Sequence, residues 1–138
     1  MRTFAKIVAV FAAASYLVQS IWAFAAPESF AGYIANYPPY NEHLVHDSGA
    51  FAIGLGTAAL AGLLLSDALA AVLAGVAAAS LLHGVSHIMD HGLGGRASDP
   101  WTVSVIGLAI LCGFVVAVRS RRAGTERNVP ATSGSFSS

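Results

Sequence analysis

All five histidines of this chain fall in two short clusters, each containing carboxylates. The first is Glu42, His43, His46 and Asp47; the second is His83, His87, Asp90 and His91. Neutral imidazole suits Zn, Cu, Ni and Fe, and carboxylates add hard oxygen donors. Zn takes three or four such groups. On a helix, His83, His87 and His91 lie one turn apart, and Asp90, seven residues after His83, returns to their face. His43 and Asp47 are four apart and His46 is three after His43, so they share a face as well. Glu42 points about 100° away from His43 and is the weaker member. The metal-ligand candidates are therefore His43, His46, Asp47, His83, His87, Asp90 and His91, with Zn, Cu or Fe as the ion. A site with two irons usually needs more carboxylates than are at hand. A bis-histidine haem, one ligand from each cluster, is the less favoured option, because it requires helices splayed wide enough for a porphyrin. The plain alternative is that interfacial His, Asp and Glu only solvate helix ends and hydrogen-bond one another.

Both clusters sit at the ends of apolar segments. The chain has 138 residues, 56% of them hydrophobic and 10% charged, against about 25% charged in a typical soluble protein. Mean hydropathy is +0.67. Four apolar stretches have the length of roughly 20 residues that crosses a bilayer as helix. They predict an all-α, four-helix transmembrane bundle in residues 1–122, with helices at about 4–26, 42–65, 67–91 and 100–118. The stretches are continuous rather than alternating, which favours helices over barrel strands. The polar, Ser/Gly-rich stretch 123–138 is expected to be a disordered cytoplasmic tail.

The segment around Phe4–Ala26 also resembles a secretory signal, with Arg2 and Lys6 ahead of it and Ala23-Phe24-Ala25 near its end. Its length and Trp22, which fits an interfacial anchor, favour a retained helix over a cleaved one. Asn41 predicts an N-cap for the second helix, Ser66-Asp67 a turn and cap for the third, and Asp99-Pro100 a cap and first-turn proline for the fourth. Six of the seven Lys and Arg residues flank the first helix's start or follow the fourth; only Arg96 lies in an opposite loop. The positive-inside rule then places both termini in the cytoplasm of a multi-pass cell-membrane protein. Both histidine clusters face outward.

If Ser66-Asp67 reverses the chain, His46 lies twenty residues before Ser66 and His87 twenty after Asp67, at equal depth. Small residues four apart support this hairpin: His46, Ala50, Gly54, Ala58 and Gly62 on one helix, Ala71, Gly75, Ala79, His83 and His87 on the next. Such stripes let membrane helices approach closely. The expectation is one outward site fed by both clusters.

The stretch Tyr37-Pro38-Pro39-Tyr40-Asn41-Glu42-His43-Leu44-Val45-His46-Asp47-Ser48-Gly49 resembles a group of small four-span bacterial membrane proteins, most familiar from actinomycetes. Their second helix opens on acidic-His-Leu-x-x-Asp-x-Gly and their third ends near His-x-x-x-His. The matching residues are Glu42, His43, Asp47, Gly49, His83 and His87, within a likeness covering roughly residues 27–118. Where that pattern has Arg, this chain has His46, so an Arg–Asp47 pair has no counterpart. The resemblance implies the four-span fold and points to the same clusters; it implies no activity.

Net charge is zero, so there is no basic surface for nucleic acid. Cys112, the single cysteine, excludes an intrachain disulfide and CxxC chemistry. No phosphate loop, nucleophile elbow or HExxH is present. The expected function is an outward-facing metal-binding membrane protein rather than an enzyme. The alternative is an accessory subunit without cofactor, whose histidines are structural or pH-responsive. Expected partners are the lipid bilayer and, through small-residue helix faces, a second copy or another membrane protein.

Overall fold

The computed structural model describes residues 2–65 and 67–127. Five helices follow in order: α1 (Arg2–Ala25), α2 (Pro27–Tyr33), α3 (Glu42–Leu64), α4 (Leu69–Met89) and α5 (Asp99–Arg127). Among the described residues there is no strand. Four of the helices, all but α2, are long and apolar enough to cross a membrane. Their outer faces agree: Phe51 is 78% exposed, Trp101 76% and Leu82 69%. Side chains of that size stand free at low cost only in an apolar solvent.

The short α2 is not in the sequence expectation. Pro27 opens it at the first helical position, where the missing N–H costs nothing. The Asn41 cap is present: its Oδ1 accepts from the Leu44 N–H at 3.1 Å. Two other caps differ. Ser66 lies outside the described residues, and α4 starts after Ala68 with no side-chain cap. Asp99 is the first helical residue rather than the cap, because its carboxylate turns back to accept from the Arg96 N–H at 2.7 Å. The fourth span runs on past 118 as helix to Arg127, taking in residues 123–127 of the expected disordered tail. Residues 128–138 of that tail lie outside the described residues.

The four long helices form a ring in which α1 packs on α3 and α5, and α4 on α5 and α3. At one end lie the start of α1, the α3–α4 turn and the end of α5, where the Arg121 guanidinium donates to the Asp67 carbonyl at 2.8 Å. We call this the basic end. The other is the histidine end. The main core cluster lies in the basic half: Ala5, Val8, Ala9, Ala12 and Ala13 of α1, Ala59 of α3, Leu69, Ala70, Leu73, Val76 and Ala77 of α4, and Ile110 and Ala117 of α5. Ala23 and Val45 are buried apart from it, towards the other end.

Towards the histidine end the ring divides into two helix pairs. A Cβ on Gly49 would meet Phe24 of α1 at 2.9 Å, and one on Gly56 would meet Leu17 at 2.7 Å. Likewise a Cβ on Gly84 would meet Ser104 of α5 at 2.7 Å. Glycine thus seats α3 on α1 and α4 on α5. The expected α3–α4 seam of small residues is not the packing surface. Gly54 and Gly75 have open space around them; among the glycines of these two helices, Gly62, beside Val72 near the turn, is the one whose Cβ would meet the other helix of that hairpin.

Candidate functional site

The spacing of α4 explains what points inward. Buried Leu73, Val76 and Ser80 continue, in steps of three and four, through His83 and His87 to Asp90. This repeat of 3.5 residues keeps one face on a neighbouring helix. Where the core ends, that face meets no partner and instead lines a cavity of about 730 Å³. From Asp90 down to Ser80 the wall descends ten residues, about 15 Å of helix. The remaining walls come from α1, α2, the Ile34–Asn41 loop, α3 and α5.

His83, His87 and Asp90 line this cavity. The two imidazoles meet edge to edge, Nε2 to Nε2 at 3.0 Å. Tyr37 from the loop places its hydroxyl 2.8 Å from His87 Nδ1. A continuous hydrogen-bond line therefore runs Tyr37–His87–His83. Each imidazole nitrogen in it is donor or acceptor according to tautomer, so the line has two directions. Either Tyr37 donates inward and His83 accepts at Nε2, or His83 donates outward and Tyr37 accepts. Deeper in, Ser80 Oγ donates to the Val76 carbonyl at 2.7 Å. Its one hydrogen is thus used, and the Tyr16 hydroxyl donates to Ser80 Oγ at 2.7 Å.

The loop holds Tyr37 closely. The Gly95 N–H donates to the Asn36 carbonyl at 2.7 Å. Gly95 has φ +77°, and a Cβ there would sit 2.7 Å from the Tyr37 hydroxyl; only glycine fits. Burial, then the nearby Asp99 and Asp90 carboxylates, push the Tyr37 phenol above its usual range. Arg96 braces the same loop by donating to the Tyr33 carbonyl at 2.6 Å.

The first cluster does not join the second in the cavity. Cavity-lining residues of α3 are Leu44, Val45, Ser48, Gly49 and Ala52. At about 100° per residue, their mean direction leaves His43 nearly opposite, with His46 and Asp47 roughly 130° to either side. His43 Nε2 lies 3.5 Å from the Asp47 carboxylate, both well exposed. His46 stacks on Phe24 of α1, with centroids 5.3 Å apart. His91 lies beyond the end of α4, its Nδ1 3.1 Å from the Ile88 carbonyl. Among the described residues, no three His, Cys, Asp or Glu side chains are grouped so as to hold one ion. The seven-residue site expected from sequence is thus parcelled out. His83, His87 and Asp90 share the cavity; His43, His46, Asp47 and His91 do not line it.

Tyr37, Tyr16 and Ser80 are among the polar cavity residues that the sequence did not mark as site residues. Ser80 was within reach, since it extends the His87–His83 stripe by one step. Nothing in the sequence pairs Tyr37 with a residue fifty positions away.

Comparison with family models, with curated proteins and with solved structures finds no match.

Proposed function

We propose that this chain is a small multi-pass cell-membrane protein that binds a transition-metal ion through His83 and His87 at its outward end. Arg2, Lys6, Arg119, Arg121 and Arg122 gather at the basic end, which the positive-inside rule assigns to the cytoplasm. The observation that carries the metal reading is the 3.0 Å between the two Nε2 atoms on the cavity wall. Two imidazoles on one tetrahedral Zn, each bonded at about 2.0–2.1 Å, stand roughly 3.4 Å apart. A small rotation of either ring would open the pair to that spacing. With Nε2 on the metal, His87 carries its proton on Nδ1 and donates it to Tyr37, which fixes the ring's orientation. Asp90, one turn on, is the next ligand of suitable chemistry, and an open position would remain for water or cargo. No catalytic residue is proposed.

The experiment is elemental analysis and calorimetric Zn and Cu titration of detergent-purified protein. One ion per chain is expected, lost in a His83→Ala/His87→Ala double variant and released as pH falls through the histidine range, because the ligands must be deprotonated. Metal-free protein that takes up neither ion would sink the reading.

A second reading, an accessory subunit without cofactor, is favoured by the open space around Gly54 and Gly75. These small faces are unused within the chain and suit close docking of another membrane helix.

A further inference from the structure

We propose that the cavity is also a binding site for a lipophilic organic cation: an apolar body carrying one protonated amine or other onium group. This does not depend on the metal reading, since it rests on the volume below and beside the histidines. A single ion occupies only a small part of 730 Å³. That volume lies within the range of about 300–1,000 Å³ typical of pockets for drug-sized molecules.

The lining specifies the two parts of the ligand. The floor is Ala12 of α1, Ala52 of α3 and Ile106 of α5. The Tyr16 and Ser80 hydroxyls there spend their hydrogens on Ser80 Oγ and the Val76 carbonyl, so this floor offers mainly apolar surface. The rim is Tyr37 with Asp90 and Asp99. The Asp90 carboxylate takes up no hydrogen bond or ion pair among the described residues. A cation beside it could also lie against the Tyr37 ring, an arrangement that gains further from the ring's negative face.

Charge around the mouth selects the sign. Of the charged side chains that line the cavity, Asp90 and Asp99 are acidic and Arg96 is basic. The Arg96 guanidinium is directed to the Tyr33 carbonyl. Low-dielectric walls focus the net negative field on the opening. The raised Tyr37 phenol records the same carboxylates acting at the rim. An anion would meet repulsion there, and a neutral amphiphile would leave Asp90 uncompensated.

The test compares two ions of nearly the same shape and opposite charge. Protein in phosphatidylcholine nanodiscs, with chelator present so that no metal contributes, is titrated with tetraphenylphosphonium and with tetraphenylborate by equilibrium dialysis against empty discs. The expected result is saturable uptake of one phosphonium per chain and only non-saturable partitioning of the borate. Asp90→Asn should weaken phosphonium binding roughly tenfold. Ala52→Phe, which fills the floor, should abolish the saturable component while helical circular dichroism is retained. Equal uptake of both ions, or phosphonium binding unchanged in Asp90→Asn and Ala52→Phe alike, overturns the proposal. Zn titration without phosphonium reports on the metal site separately.

Discussion

Tyr37 shows how a single side chain joins loop and helix. Gly95 gives it room, Asn36 fixes the stretch of chain beside it, and its hydroxyl shares a hydrogen bond with His87 Nδ1. Its phenol is raised by burial first and by Asp99 and Asp90 second. A folded-state value above the unfolded one, about 10, means the protonated phenol contributes stability below pH 10. That contribution is lost as pH rises through the folded value. Tyr40 is raised as well, so ultraviolet titration of tyrosinate should show a late component above pH 10 that is reduced by one tyrosine in Tyr37→Phe. An identical curve for the variant would refute the placement of Tyr37 beside those carboxylates. At this scale the sequence was informative about residue type but less so about grouping. It marked His83, His87 and Asp90 correctly as neighbours on one face. It could not show that His46 would stack on Phe24, since that contact depends on how α3 is rotated against α1.

That rotation is an element-scale property, and it turns on the difference between two periods. A step of four suggested the stripe His46, Ala50, Gly54, Ala58, Gly62. The buried stripe is instead Val45, Gly49, Gly56 and Ala59, which follows steps of three and four with Ala52 between and meets the first stripe at the buried Gly62. The two stripes start one residue apart, about 100° on a helix, and that offset moved the whole first cluster off the cavity. The same 3.5-residue rule, read from Leu73 onward, would have aimed His83, His87 and Asp90 inward. The number of long helices and their approximate limits were legible, because runs of apolar residues do not depend on neighbours; the short α2 was not. The partner of each helix was not, because α3 could be seated by Gly49 and Gly56 on any sufficiently small facing surface. Paired substitutions separate the two stripes. Gly56→Leu, which drives into Leu17, should destabilise the fold by about 1–3 kcal/mol and lower the detergent-solubilised melting temperature. Gly54→Leu, in open space, should leave the melting temperature nearly unchanged. The same Gly54→Leu change should reduce crosslinking in native membranes if that face docks a partner helix. A lowered melting temperature for Gly54→Leu with none for Gly56→Leu would reverse the assignment of faces.

For the molecule as a whole, charge sorts the two ends as clearly as packing does. Six of the seven basic residues lie with the termini, and five of the seven carboxylates, all but Asp67 and Glu126, with the histidines. The proposed orientation predicts the outcome of cysteine labelling in intact cells, starting from a Cys112→Ala background. A cysteine at His43 should react with a membrane-impermeant maleimide, and one at Thr125 only after permeabilisation. The opposite pattern would invert the topology and place the cavity on the cytoplasmic side. The first apolar segment also takes a clear part at this scale. Ala5, Val8, Ala9, Ala12 and Ala13 fill the core shared by all four long helices, so the bundle described here needs α1 in place.

The main core at the basic half joins the four rods, while the opposite half is held as two glycine-seated pairs around an open centre. Substitutions at cavity-wall positions such as Ser48 or Thr102 therefore fall outside that core. Such a scaffold can exchange what it recognises while its fold stays put, so related chains could share one anchored base and diverge in the shape and polarity of their open ends.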